Sequence, residues 1–297
     1  MPPDTLKPIL DHAAARLKAA GCGTPELDAR LLLQHVTGLT RADMILDPDR
    51  VIAPDAVIRF LSLVKRREAR EPVSRILGER EFYGRSFRVT PDVLDPRPDT
   101  ETLVEAALAA MPHNSRILDL GTGSGAIIIT LLAERPDTSG VAVDDSAAAL
   151  AVASGNAERL GVGNRLACHQ GSWFEGIDGR FDLIVSNPPY IPAGDIPGLS
   201  PDVKHFDPLL ALAGGVDGLD PYRAIAAGAT THLEPEGLIL LEIGAGQAED
   251  VEAIFMAGGL RALSRHRDLG GHVRCLAFGL DQKLSTNPQV SKKPIGN

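Results

Sequence analysis

Cysteine is nearly absent from this 297-residue chain: Cys22, Cys168 and Cys275 stand alone, far apart and odd in number. No pair has metal-ligand spacing and the set cannot make a disulfide framework. A reduced, cytoplasmic setting is therefore expected, with no metal. Aromatic residues are scarce, at 4% with one tryptophan, so Ala, Leu and Val must fill the core of a soluble protein. Positive charge is in deficit: 30 Lys and Arg against 39 Asp and Glu give −9. That balance weighs against an extended nucleic-acid surface, though a local basic patch is compatible with it. Long apolar runs are missing as well. The longest, Ala126 to Ala133, is interrupted by Thr130 and is far too short to span a bilayer. Met1-Pro2-Pro3-Asp4 carries neither a basic nor an apolar leader, so no secretory signal is expected.

The length suits one large domain and a smaller one. Residues 4–71 read as helices. Leu6, Ile9, Leu10, Ala13 and Leu17 share one helical face, and Gly21-Cys22-Gly23 stops it. Thr24-Pro25 supplies a cap and a first-turn proline for a second helix with Leu27, Leu31, Leu32 and Val36 on its stripe. Pro54 opens a third, with Val57, Phe60, Leu61 and Val64, which ends in Lys65-Arg66-Arg67-Glu68-Ala69-Arg70-Glu71. That basic run reads as a solvated helix face rather than a binding patch. After Pro72, Glu81 to Val89 reads as a β-hairpin turning at Gly84. Thr100 or Asp99 is placed to cap a helix to about Ala110. From Arg116 strand and helix alternate, the mark of a doubly wound parallel sheet. Strands are expected at 117–120, 141–144, 165–169, 181–186, 238–243 and 273–278, with 260–266 following a helix at about 247–257. The expected domains are a helical bundle over 1–75, a β-hairpin linker over 76–92, an α/β domain over 93–281 and a disordered polar tail over 282–297.

Two stretches carry chemistry. Phe181 to Ser186 is a buried strand that ends in Asn187-Pro188-Pro189-Tyr190. Proline cannot donate to a ladder, and each residue before a proline is pushed toward extended geometry. The result is a rigid lip at a strand's carboxyl end, where open α/β sheets bind ligands. The Asn187 side chain and the Pro188 carbonyl can both accept a hydrogen bond, and Tyr190 offers a flat wall, a set suited to a planar –NH2 group. A strand-ending Pro-Pro turn without chemistry has the same look, so the upstream residues decide. There Asp119-Leu120-Gly121-Thr122-Gly123-Ser124-Gly125 lies between a strand and a helix, where glycines let a ligand approach the backbone. Its G-x-G-x-G spacing, with an acid two residues ahead, fits S-adenosyl-L-methionine better than the G-x-G-x-x-G of a dinucleotide site. Asp144, closing the second strand, can accept from both hydroxyls of an adenosine ribose, and Asp119 can face the methionine ammonium. Loop, second-strand acid and fourth-strand lip in this order read as a class-I methyltransferase with a Rossmann-like fold.

These residues closely resemble the protein-glutamine N5-methyltransferases that modify class-I peptide chain release factors. The likeness extends to Arg80-Glu81-Phe82-Tyr83-Gly84, Pro96-Arg97-Pro98-Asp99-Thr100-Glu101, Ser172-Trp173-Phe174, Asp207 to Leu212, Gly214 to Leu219 and Arg267 to Gly271. It covers about residues 70–280 strongly and the N-terminal bundle loosely. By that resemblance Asp119, Gly121, Thr122, Gly123, Ser124, Gly125, Asp144, Trp173 and Asn187 would contact the cofactor, with Trp173 near the adenine. Asn187, Pro188, Pro189 and Tyr190, with Arg97 and Glu101 of the discriminating Pro96–Glu101 block, would hold the substrate glutamine. Asn187, Pro188 and Tyr190 would carry catalysis, and the helical bundle would grip the release factor. The product would be S-adenosyl-L-homocysteine, and neither membrane nor nucleic acid is an expected partner. Two residues depart from the family pattern: Asp95 stands where an apolar residue is usual, and Ser172 where an acid usually precedes the tryptophan.

Three other readings stay open. An exocyclic amine of nucleic acid, of the adenine N6 type, suits a similar lip but needs a flipped base and a basic track, for which only residues 65–70 qualify. A catalytically silent binding protein on this fold would not need the intact loop, Asp144 and Asn187. A nicotinamide-dependent dehydrogenase shares the strand-ending acid.

Overall fold

The computed structural model describes residues Thr5–Asp281; the tail expected over 282–297 lies outside them. The chain divides into two compact units. One holds the residues up to Asp95 together with Asp195–Ala211, and the other holds Pro96–Gly194 together with the residues from Leu212 onward. The single run expected over 93–281 is thus interrupted, and the hairpin belongs with the helical unit.

The helical unit packs Leu6–Ala19, Pro25–Thr37 and Pro54–Glu68 around a core of Leu6, Leu17, Leu32, Leu33, Phe60 and Val64. The second helix is rotated from the expected phase. Leu27 and Leu31 are exposed, while Asp28, Ala29, Leu32 and Leu33 face inward. The run Leu31-Leu32-Leu33 permits either phase, and an ion pair selects one. Arg67 is buried, not solvated: its Nε donates to Asp28 at 2.7 Å and its Nη1 to Asp202 at 2.8 Å. Arg70 also binds Asp202, and Arg66 binds Glu71. The basic run is therefore largely engaged within its own unit. Arg75 fixes Asp207 at 2.8 Å, so two aspartates anchor the Asp195–Ala211 segment. Thr24 does not cap its helix; its hydroxyl donates to Asp28 instead. Two short helices ahead of the hairpin escaped the periodicity argument because neither is two full turns long. They are Arg41–Leu46, closed by a Thr40–Asp43 capping box, and Val73–Leu77. Strands β1 (Glu79–Phe82) and β2 (Arg85–Arg88) form the expected hairpin.

The second unit is built on seven strands: β3 (Arg116–Leu120), β4 (Ser139–Asp144), β5 (Leu166–Gln170), β6 (Phe181–Ser186), β7 (Leu233–Glu242), β8 (Leu260–Arg267) and β9 (Val273–Leu280). They lie in the order β5-β4-β3-β6-β7-β9-β8. Strands β3 to β7 run parallel, and β9 and β8 close the edge antiparallel. Strand β7 starts earlier than expected, at Leu233, because Phe181 pairs with that residue across a register shift. The middle strands are buried on both faces, as a parallel sheet covered by helices requires. Leu118, Leu120, Ile184, Ile239 and Leu241 are buried with Tyr222, Phe255 and Phe278 in one core.

Removing one partner of a buried ion pair leaves the others charged and desolvated, which costs about 3–5 kcal/mol. Arg67→Ala strands Asp28 and takes from Asp202 one of its two arginines. Denaturant melts of the full chain should show a loss of about that size, and proteolysis within 195–211 should quicken. A change below about 1 kcal/mol with unaltered cleavage would show that the segment is held by something else.

Candidate active site

Register fixes the site. Leu120 of β3 pairs with Ser186 of β6, and Ser186 pairs with Leu241 of β7. The next residues on these three neighbouring strands are Gly121, Asn187 and Glu242, side by side where the sheet ends. Leu120 also pairs with Val143 of β4, so Asp144 extends the row. The Ser186 hydroxyl donates to the Leu120 carbonyl at 2.7 Å and fastens the lip to the glycine-loop strand.

On the loop side, Gly121, Gly123 and Gly125 all have positive φ (72°, 55° and 79°), the left-handed region that glycine enters without strain. The loop is held from below. Gly121 and Thr122 N–H both donate to the Val143 carbonyl at 2.9 Å, and Gly123 N–H donates to Asp144 Oδ2 at 2.9 Å. Asp144 Oδ1 accepts from Ser146 N–H at 2.9 Å, so each oxygen retains a lone pair for a further donor. Burial raises the Asp144 carboxyl pKa. Thr122 and Ser124 are buried: the Thr122 hydroxyl serves Asp119 Oδ2 at 2.7 Å, and Asn156 holds the Ser124 carbonyl at 2.9 Å. Asp119 itself is fully buried and its Oδ1 has no partner. Burial pushes its carboxyl up to about 7; the Thr122 bond opposes this and the Asp144 charge adds to it. A cation arriving at this strand end would meet an unmet acceptor. Trp173 has φ 53°, a left-handed conformation rare for a bulky residue. Its ring lies near Gly121, against the sheet core.

On the lip side, Asn187 Nδ2 donates to the buried Thr100 hydroxyl at 3.2 Å. Thr100 thus does not cap its helix: its backbone is already helical and its side chain makes no cap bond. Among the described residues no backbone N–H donates to the Pro188 carbonyl. The Tyr190 carbonyl accepts from Gln247 Nε2 at 3.1 Å, and a Cβ at Gly218 would stand 2.4 Å from that same oxygen. Glycine at 218 is therefore what lets the Leu212–Leu219 segment close on the lip. Arg97, Asp99 and Arg274 lie near enough to Tyr190 to act on its phenol electrostatically, although burial is the larger cause of its raised pKa. Arg274 bonds Asp268 at 2.9 Å and Asp99 at 3.3 Å. Glu101 opens the following helix. Of the departures from the family pattern, Asp95 is buried on the Ser74 hydroxyl at 2.7 Å in the helical unit, while Ser172 begins the turn before Trp173.

A protein of Rhodospirillum rubrum named release factor glutamine methyltransferase is 50% identical over 269 residues, covering 90% of this chain and 83% of its own length. The chain belongs to the release factor glutamine methyltransferase family. A second member, from Cereibacter sphaeroides, is also 50% identical and covers 91% of this chain and 97% of itself. The family described as PrmC N-terminal domain matches residues 9–78, and the one described as methyltransferase small domain matches residues 95–196. Two solved structures share the fold of the second unit, which is that of the class-I methyltransferases. One is the Thermus thermophilus 16S rRNA N2 G1207 methyltransferase in complex with AdoMet and guanosine. Its TM-score is 0.51 at 20% identity, over 68% of this chain and 50% of that one. The other, a methyltransferase from Pyrococcus furiosus, also has a TM-score of 0.51, at 17% identity over 67% and 91%.

Thr100, Glu242, Arg274 and Asn156 were not singled out as site residues from sequence. Glu242 offered the one usable signal, a lone acid closing the apolar run Leu238–Leu241. It is 2% exposed and its Oε2 has no partner. Burial pushes its carboxyl up to about 7, against hydrogen bonding from Thr100 and Asn187 and the nearby Arg274 charge.

A carboxyl whose folded pKa is raised keeps its proton in the folded state after the unfolded chain has lost it. Stability therefore falls as pH rises from about 4 to about 7, by up to 1.36 kcal/mol per unit per group, and then levels off. Asp119 and Glu242 both act in this sense. In the protein without ligand, Asp119→Asn should remove roughly half of the decline between pH 5 and 8 measured by denaturant melts. An unaltered slope would show that Asp119 is already ionised at pH 5.

Proposed function

We propose that this chain transfers a methyl group from S-adenosyl-L-methionine to the side-chain amide nitrogen (N5) of the glutamine in the Gly-Gly-Gln motif of class-I peptide chain release factors, releasing S-adenosyl-L-homocysteine. Family membership supports the substrate, and the adjacency of Asn187 to the glycine loop supports the chemistry. That adjacency carries the reading, because the group that grips an amide and the loop suited to the donor end on neighbouring strands.

The donor fits the residues present. The orphaned Asp119 Oδ1 would accept from an ammonium, the free lone pairs of Asp144 would take ribose hydroxyls, and Trp173 would border the adenine. When bound, it supplies an electrophilic methyl on a sulfonium. The remaining work is positional. An amide nitrogen is a poor nucleophile because its lone pair is delocalised into the carbonyl, and removing its proton at neutral pH would be very costly. Asn187 Oδ1 and the Pro188 carbonyl accept the two N–H bonds of the glutamine and aim the nitrogen. Positive charge develops on that nitrogen, so fixed acceptors stabilise the transition state more than the ground state. Tyr190 covers the amide plane and excludes water, and Arg97 lies beside it. After the N–C bond forms, the surplus proton leaves to solvent. The basic run 65–70, which a nucleic-acid substrate would need as a phosphate track, has Arg66, Arg67 and Arg70 engaged by carboxylates.

Incubation with labelled cofactor and a purified release factor, followed by mass spectrometry, should place one methyl on the Gly-Gly-Gln glutamine. Asn187→Ala should lower the transfer rate about 10²–10³-fold, with cofactor affinity from calorimetry little changed. Turnover equal to wild type would refute the role of Asn187.

A further inference from the structure

We propose that Glu242 is a positioning residue that, through Thr100, fixes which end of the Asn187 side-chain amide faces the substrate. The inference rests on the amide-methylating reading above, and it gives work to two residues that reading leaves idle.

Glu242 is the β7 member of the transverse row and sits next to Asn187 in register. It is 2% exposed, and its Oε2 is buried without a partner. A desolvated carboxyl kept at the ligand end of a sheet is expensive, and no cation of its own offsets it. Arg274, the nearby guanidinium, already holds Asp268 at 2.9 Å and Asp99 at 3.3 Å. The Glu242 main chain is occupied separately, its carbonyl accepting from the Tyr222 hydroxyl at 3.0 Å. The polar groups that act on its carboxyl are Thr100 first and then Asn187, and these two are joined by Asn187 Nδ2 donating to the Thr100 hydroxyl at 3.2 Å.

Donor and acceptor counts then set a direction. An ionised carboxylate only accepts, and a threonine hydroxyl has one proton to give. If Thr100 donates to Glu242, its oxygen is left to accept, and the Asn187 group that satisfies it is Nδ2, as found at 3.2 Å. Asn187 Oδ1 is thereby left for the glutamine N–H. A flipped amide would set N–H against N–H at the reacting nitrogen. Glu242 thus polarises a chain of three groups whose far end is the acceptor the reaction needs.

Protonation undoes the polarity. A neutral Glu242 can donate to Thr100, whose proton is then free to turn toward Asn187, and the flipped amide becomes competitive. Burial holds this carboxyl near neutrality, at about 7. The groups that act on it are Thr100 and Asp99 before the first helix of this unit, Asn187 and Tyr190 on the lip, Arg274 and Cys275 on β9, and Tyr222. Asp119 titrates in the same range but on the cofactor side, so saturating cofactor removes it from kcat.

The test pairs kinetics with a signal that needs no turnover. At saturating cofactor and release factor, wild-type kcat should fall about tenfold per pH unit below about 7. Glu242→Gln, whose amide can donate to Thr100, should lower kcat at pH 8 about 10- to 100-fold, flatten the acid limb, and shift release-factor KM less than about threefold. Thr100→Val should do the same, and Thr100→Ser should restore both rate and limb. In the ligand-free protein the Asn187 Nδ2 proton resonances should titrate near pH 7 in wild type and not in Glu242→Gln. Wild-type turnover in Glu242→Gln at pH 8, a persisting acid limb, or equal defects in Thr100→Val and Thr100→Ser would overturn the proposal. Should Glu242→Gln fail to fold, the threonine pair and the wild-type titration decide alone. A titrating Asn187 in a protein that methylates no release factor would sink the functional reading and leave the positioning intact.

Discussion

Everything in the second unit depends on the registry of three parallel strands. Because Leu120, Ser186 and Leu241 are ladder partners, their successors Gly121, Asn187 and Glu242 form one row, with Asp144 beyond it. Parallel strands in a twisted sheet leave their last carbonyls and the following loops pointing the same way, which is why ligands settle at carboxyl ends. A slip of one residue in β6 would turn every side chain of that strand to its opposite face. Buried Leu183, Ile184 and Val185 hold it in place from both sides, and the Ser186–Leu120 bond locks its end. The prolines then keep the chain from adding a further rung.

That row concentrates unfavourable burial in one place. Among the described residues, Asp119 and Glu242 are the two buried acids of the sheet, both desolvated, each with one oxygen left unpartnered. Side chains of this kind are removed from ordinary cores because a charge without a partner is costly there. The surrounding apolar core, from Leu118 to Phe278, supplies the stability against which the two acids are tolerated. They flank β6 on opposite sides, Asp119 toward the glycine loop and Glu242 toward β9. Two carboxyl groups are thereby given different neighbours: the Thr122 hydroxyl of the glycine loop for Asp119, and, for Glu242, a threonine hydroxyl that is itself bonded by the Asn187 amide.

Local chemistry was legible in the sequence, and long-range pairing was not. The glycine loop, the acid closing β4 and the proline lip each announce themselves within a few residues, because steric rules for glycine and proline act locally. Asp119 was readable for the same reason, two places ahead of Gly121. Thr100 looked like a helix cap since caps and buried hydroxyls share a residue type; only the fold brings Asn187 to it, 87 positions away. Arg67 looked solvated because its partners Asp28 and Asp202 lie 39 and 135 positions off. The same pairing explains the misjudged phase of the second helix, where three successive leucines left periodicity undecided. The Asp195–Ala211 excursion was invisible for a further reason: its anchors, Asp202 and Asp207, are ordinary surface-type residues until arginines of the helical unit are set against them.

Among the described residues no strong base is bonded to the Asn187 side chain, which donates to the Thr100 hydroxyl. A base able to deprotonate an amide would have to be far stronger than any carboxylate, and in the proposed reading Glu242 acts on the substrate through Thr100 and Asn187 rather than as a base. Its effect on the reacting nitrogen can only be transmitted as orientation and as field. Orientation is the larger share, since an amide differs from its flipped form by exchanging a donor for an acceptor at the point where two N–H groups must be received. In the proposed reading Pro188 contributes an acceptor that cannot flip, being main chain. Asn187 would contribute one that can, and its neighbour Thr100 accepts from its Nδ2. A site of the proposed design would use a rigid carbonyl and an oriented amide where other chemistries use a proton abstractor.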